Sequence, residues 1–214
     1  MHTLSATDAG FRRHDVQKGK TLSKPTVKGR IGTMGLRQMR RRIQKERTAA
    51  QRRFRRQKNA NRLASPGPHD FIIVLDNLKP AFNIGKIFRS ADAFGAREVH
   101  LVGIDFFDPA PAMGSFKWVP ARFHERFATC FEDLQTRDYR LFTLIPVRGV
   151  PLYDAALPRR SGFIFGHEEY GISAEISACP DIRPLSIPQF GRVQSLNVSI
   201  AASIVMWEYL RQHP

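Results

Sequence analysis

Pro184-Leu-Ser-Ile-Pro-Gln-Phe-Gly-Arg-Val-Gln-Ser-Leu-Asn-Val-Ser-Ile-Ala-Ala-Ser203 is the stretch on which the reading of this 214-residue chain turns. A short β-prone segment ends at Ile187-Pro188 and gives way to a polar, glycine-containing loop. The loop then opens an apolar helix through Ser195-Leu196-Asn197. Backbone donors and acceptors are left free where the loop meets the helix, and Ile187 and Leu196 flank them with apolar surface. Such a junction suits a small ligand with a flat ring and polar edges. The same residues admit a plainer reading, since Ser195 and Asn197 are both preferred N-caps.

Two further segments share its character. In Asn83-Ile-Gly-Lys-Ile-Phe-Arg-Ser-Ala-Asp-Ala-Phe-Gly95 the apolar residues Ile84, Ile87, Phe88, Ala91 and Phe94 recur at helical spacing and form a core stripe. Arg89 lies off that stripe, on the side of Gly85, where no side chain obstructs a ligand. Lys86 is a free surface lysine or a phosphate contact. In Phe163-Ile-Phe-Gly-His-Glu-Glu-Tyr-Gly-Ile-Ser173 a buried strand ends at Gly166, at the carboxyl edge where open α/β sheets place their ligands, and a glycine there lets a ligand approach the backbone closely. Glu168 begins the following helix, where an acid in the first turn also favours the dipole.

Charge is very unevenly spread. Residues 1–64 carry 19 Lys and Arg against 3 Asp and Glu, whereas residues 65–214 carry 15 against 16, so the net charge of +15 resides in the first third. A segment this basic seeks polyanions. Residues 1–34 are polar and read as disordered. Leu36, Met39, Ile43 and Phe54 are loosely helical in spacing among arginines that include Arg40, Arg41, Arg52 and Arg53, which reads as a basic helix for nucleic acid or an anionic membrane surface. Ser65-Pro-Gly-Pro68 marks the boundary between a 1–64 extension and a 65–214 domain. No run approaches 18 apolar residues and the N-terminus lacks a signal-type core, so a soluble cytoplasmic protein is expected. Cys130 and Cys179 have no CxxC partner and no histidine at ligand spacing, and read as reduced structural thiols with no metal.

Beyond residue 65, β-like runs (71–76, 98–103, 140–145, 162–165, 182–187) alternate with helical ones (80–94, 131–137, 173–179, 196–211). That order predicts an α/β fold, a mostly parallel sheet covered by helices on both faces. The last helix is apolar on nearly every side and should be buried in the domain or against a partner subunit.

The three segments, in this order, resemble the motifs of the TrmH (SpoU) branch of the SPOUT RNA methyltransferases over residues 70–211. The resemblance implies a SPOUT-type α/β domain with a deep C-terminal trefoil knot and a homodimer. It implies the transfer of a methyl group from S-adenosylmethionine to an RNA ribose 2'-hydroxyl. The cofactor would be held by loops after Thr143-Leu144, around Gly166 and from Ile187 to Leu196. Arg89 becomes the central functional residue, Asn83 organises the turn before it, and Glu168, Ser195 and Asn197 complete the site. An arginine stays protonated in proteins, so Arg89 is read as an electrostatic positioner, with Ser195, Asn197 or water relaying the proton. His167 departs from the family pattern, which has a small polar residue or Asn there. Met113-Gly-Ser-Phe-Lys-Trp-Val119 resembles a stretch of tRNA-directed members, where Lys117 and Trp118 would contact phosphate and stack on a base unless the Trp is buried.

Val193-Gln194 before Ser195 leans toward a tRNA guanosine target, while the basic extension leaves ribosomal RNA open. A non-catalytic RNA-binding or ribosome-assembly protein on the same fold is the rival reading, yet Asn83, Arg89, Glu168, Ser195 and Asn197 are all present. A nicotinamide-binding domain is disfavoured, because no GxGxxG follows the first strand at Asp76-Asn77.

Overall fold

The computed structural model describes residues 35–146, 148–167 and 171–214. The reading of residues 1–34 as disordered lies outside them. Twelve regular elements follow one another: α1 (Leu36–Asn61), β1 (His69–Asp76), α2 (Phe82–Ala93), β2 (Ala96–Val102), β3 (Ala121–His124), α3 (Phe127–Thr136), β4 (Arg140–Leu144), β5 (Val150–Pro151), β6 (Ser161–Phe165), α4 (Ala174–Ser177), β7 (Arg183–Ser186) and α5 (Val198–Gln212). The strands form one sheet in the order β3-β2-β1-β6-β4-β7-β5, with parallel pairing throughout.

Phe71-Ile-Ile-Val-Leu75 is continuously apolar because β1 is central and both its faces are covered. Successive side chains alternate between the faces. Phe71, Ile73 and Leu75 join Ile84, Ile87 and Phe88 of α2 and Ala202, Val205, Met206 and Tyr209 of α5. Ile72 and Val74 join Cys130 and Leu134 of α3 and Ile176 of α4 on the opposite face. Helix α2 ends where Gly95 takes a left-handed φ of 63° and its N–H bonds to the Asp92 carbonyl.

The expected α/β alternation is present, with two strands that sequence patterning passed over. Ala121-Arg-Phe-His124 forms the edge strand β3, and its apolar content is too slight to stand out. β5 spans two residues and is fixed by its pairing to Leu185 and Ser186.

Basic helix α1 forms, but it shares the core of the following unit. Ala50, Phe54, Gln57 and Asn61 make a buried stripe along its C-terminal half. The Phe54 ring contacts those of Phe106, Phe107, Phe116 and Phe123. Asn61 donates to the carbonyls of Phe116 and Val119 and accepts from the Ala121 N–H. Helix α1 therefore packs across the boundary at Ser65, against residues 106–123 of the unit that follows. Leu36, Met39 and Ile43, read as the apolar side of this helix, are exposed. No helix of the described residues is long and apolar enough to cross a membrane.

Candidate active site

The carboxyl ends of the neighbouring strands β4, β6 and β7 open into one cavity, as expected at the ligand edge of a parallel sheet. Leu144, Ile145 and Pro146 line it from the loop after β4. Phe165, Gly166, His167, Gly171 and Ile172 line it from the loop after β6. Ile187, Gln189, Ser195 and Leu196 come from the loop after β7, and Val198 and Ala201 from the start of α5. Leu144, Gly166, Ile187, Ser195 and Leu196, nominated from sequence, thus share one wall system. Thr143 does not: strand alternation turns it to the sheet face opposite Phe142 and Leu144, where its buried Oγ1 has no hydrogen-bond partner among the described residues.

Gln189 was passed over in the sequence as part of a polar loop. Its Oε1 is buried without a partner, and the residue lines the cavity. A buried acceptor left unmatched is costly unless a ligand donor meets it. The cavity thus combines apolar walls suited to a planar ring with polar side chains, Gln189 and Ser195 among them.

Gly166 is required for a reason other than close approach of a ligand. A Cβ there would lie 2.2 Å from the Gly171 carbonyl oxygen. That contact follows from a narrow backbone bridge, in which His167 N–H donates to Gly171 (2.7 Å) and Gly171 N–H donates to His167 (2.8 Å). Gly171 is left-handed at φ 72°. The bridge is also anchored to β1, because Asp76 Oδ2 accepts from the Ser173 N–H at 2.9 Å. Glu168 lies outside the described residues.

Asn83 and Asn197 meet. Asn197 Nδ2 donates to Asn83 Oδ1 at 3.3 Å, and its Oδ1 accepts from the Ser199 N–H (3.0 Å) and hydroxyl (2.6 Å). Asn197 is thus the N-cap of α5 and also a tie to the first turn of α2, where Asn83 is fully buried. Further along, Ser90 and Ser203 hydrogen-bond at 2.8 Å, so the two helices run side by side. Arg89 is exposed as its place off the stripe predicted, and it has no hydrogen bond or ion pair to the described residues. It does not line the cavity. Gly85 is not an open approach beside it: a Cβ there would lie 2.9 Å from the Ala112 N, against the Pro111-Ala112 turn.

Among the residues nominated for RNA, Arg40, Arg41 and Arg52 are exposed on α1. Arg53 is committed elsewhere, with a bidentate pair to Asp108 at 3.1 and 2.8 Å. Burial works to raise the Asp108 carboxyl, but the bonds from Arg53 and the Ala110 N–H outweigh it and hold the group below its usual value. Lys86 lies over the Phe82 ring. Lys117 lies 4.9 Å from the Trp118 ring centre, and Trp118 is 56% exposed, which leaves it open to stack.

Residues 70–207 match the family model described as the SpoU rRNA Methylase family. The chain belongs to that family. Within it, the chain is 33% identical to the tRNA (guanosine(18)-2'-O)-methyltransferase of Thermus thermophilus, over 78% of this chain and 86% of the relative. It is 31% identical to the enzyme of the same name from Escherichia coli, over 67% of this chain and 64% of that one. The SpoU methyltransferase AviRb from Streptomyces viridochromogenes, solved in complex with AdoMet, superimposes with a TM-score of 0.62 at 27% identity, covering 69% of this chain and 62% of that one.

Proposed function

We propose that this SpoU-family protein is an S-adenosylmethionine-dependent methyltransferase acting on a ribose 2'-hydroxyl of tRNA, with guanosine 18 as its target. The observation that carries the reading is the convergence of the loops after β4, β6 and β7 on one cavity beside the Asn83–Asn197 tie. The apolar walls and the unmatched Gln189 Oε1 fit an adenosine bearing donor groups. The cofactor supplies an activated methyl on a sulfonium, so no protein nucleophile is needed. Leu144, Ile187 and Leu196 hold the flat ring, and Gln189 meets a donor.

The remaining work is positioning and neutralisation. Arg89 fixes a phosphate next to the reacting ribose and stabilises the developing alkoxide. Ser195 or water relays the proton to solvent, and Glu168 helps order the loop. The Asn83–Asn197 pair holds α2 and α5 in register, which sets Arg89 relative to the cavity. Because Arg89 stands outside the cavity of its own chain, the site is completed by a second copy. The bare side of α5 supports this: Ile200, Ile204 and Trp207 lie on one side and are 52%, 36% and 62% exposed. The three cavity loops are threaded as a trefoil knot. Residues 1–64 act as the RNA-binding extension, with the arginines of α1 and the Lys117–Trp118 pair on phosphate and base.

Incubation with radiolabelled S-adenosylmethionine, unmodified tRNA and ribosomal RNA fragments tests the reading. Digestion should yield 2'-O-methylguanosine from tRNA, and replacing guanosine 18 should abolish it. Methylation of ribosomal RNA alone would change the substrate and keep the chemistry. Absence of transfer, with no cofactor binding in calorimetry, would refute the enzyme reading.

A further inference from the structure

On the sheet face away from α2 and α5, three metal-binding side chains from three elements converge. His100 comes from β2, His124 from β3 and Cys130 from α3. His100 Nδ1 lies 3.0 Å from His124 Nε2 and 3.3 Å from Cys130 Sγ, and the three ligand atoms all lie within 4.8 Å of one another. His100 and Cys130 are fully buried and His124 is half-buried. The geometry points to a binding site for one divalent cation of the zinc class, held by His100 Nδ1, His124 Nε2 and Cys130 Sγ, with water in the fourth position on the His124 side.

The two spacings from His100 Nδ1 are close to what such an ion requires. Tetrahedral zinc, at its usual bond lengths to nitrogen and sulfur, sets its ligand atoms about 3.3–3.6 Å apart. The observed contacts fall a few tenths of an ångström short of this. The two imidazole rings lie 16° from parallel, so binding turns the half-buried His124 ring to aim its lone pair at the ion. Without an ion, the donors of His124 and Cys130 face a single His100 nitrogen, whose one lone pair serves only one of them well.

The surroundings favour a cation as well. His100 Nε2 bonds to Glu98 Oε1 at 3.1 Å, which is how a carboxylate orients a liganding imidazole through its far nitrogen. Glu98 is fixed in turn by Arg122 Nε at 3.0 Å and by Arg137. Asp133 and Asp76 add negative charge near Cys130. These carboxylates offset the charge of a dication, and the thiol gives up its proton to solvent as the sulfur–metal bond forms. The ion would clamp the short edge strand β3 to β2 and α3. Sequence spacing hides the site: its members are 24 and 6 residues apart, on separate elements.

Purified full-length protein, stripped with chelator and dialysed, is to be titrated with cobalt(II) and then with zinc in competition with a chromogenic chelator. One equivalent should bind, with a thiolate-to-cobalt charge-transfer band and a rise in melting temperature. His124→Asn, at the half-buried position, should weaken binding at least roughly tenfold. Cys130→Ser should remove the band, and Cys179→Ser should keep it. If Cys130→Ser does not fold, His124→Asn carries the test by itself. No binding to folded wild-type protein, or binding and band unchanged in His124→Asn, would overturn the proposal and leave a hydrogen-bonded structural cluster.

Discussion

At the scale of single residues, exposure separates chemistry from folding. Arg89 is exposed and unpaired among the described residues, so Arg89→Ala should change stability by no more than about 0.5 kcal/mol. Methyl transfer should nevertheless fall roughly 10²–10³-fold, the scale of losing one preorganised electrostatic group. Thermal melts beside single-turnover rates check both halves. Gln189 makes the opposite case, since its buried oxygen lacks a donor in the free protein. Gln189→Ala should leave the melting temperature unchanged or raise it, while weakening S-adenosylmethionine binding by about two- to tenfold in calorimetry, the value of one hydrogen bond. A lowered melting temperature with unaltered affinity would show that the side chain serves the loop instead. Gly166 and Gly85 show where sequence reasoning misassigned a cause. Both positions forbid a side chain, but the clash is with the chain's own backbone at Gly171 and Ala112, distant in sequence or hidden within a turn. A glycine in a sequence shows that space is short and does not say what fills it.

At the scale of elements, α1 is held by an aromatic contact, a buried amide and an ion pair. Phe54→Ala should cost about 3–5 kcal/mol, with early loss of amide protection along α1. The ion pair adds a pH dependence with a definite sign. The Asp108 carboxyl is held below its usual value, so its contribution is complete above the ordinary aspartate range and is lost as pH falls through the lowered folded value. Arg53 and Asp108 are both more than a third exposed, so the effect is under about 1 kcal/mol. Protection factors of the α1 amides, with the intrinsic pH dependence of exchange divided out, should fall in acid in the wild type and show a smaller acid response in Asp108→Asn. Helix α5 is amphipathic in its burial, with Ala202, Val205, Met206 and Tyr209 inward and Ile200, Ile204 and Trp207 outward. Ile204→Glu should therefore leave the monomer folded and shift sedimentation from dimer to monomer. A wild-type monomer would remove the two-chain site from the proposal.

At the scale of the whole molecule, sequence patterning was most reliable where burial is complete. The five apolar residues 71–75 of β1 could only be a doubly covered strand, and the stripe of Ile84, Ile87, Phe88 and Ala91 could only be a helix packed on it. Elements fixed by neighbours left little trace: β3 and β5 exist through their partners β2 and β7, and the His100–His124–Cys130 cluster exists only once β2, β3 and α3 are side by side. The docking of α1 was hidden because its arginines dominate the composition, while four buried positions decide its place. Residue 65 is thus a poor place to cut. A chain starting at Ser65 should melt at a lower temperature than the full protein, by uncovering Phe106, Phe107, Phe116 and Phe123. In filter binding across a salt series, the loss of exposed arginines on cutting should flatten the salt slope of RNA affinity. The sheet order carries a consequence for synthesis in the cell. β1 pairs on one side with β2, and on the other with β6, where Phe71 faces Ser161. A ribosome adding about 5–20 residues per second needs roughly 5–20 s to cover that distance. Throughout that interval the most apolar strand of the nascent chain has one bare edge, and the cell must shield it until its last neighbour has been translated.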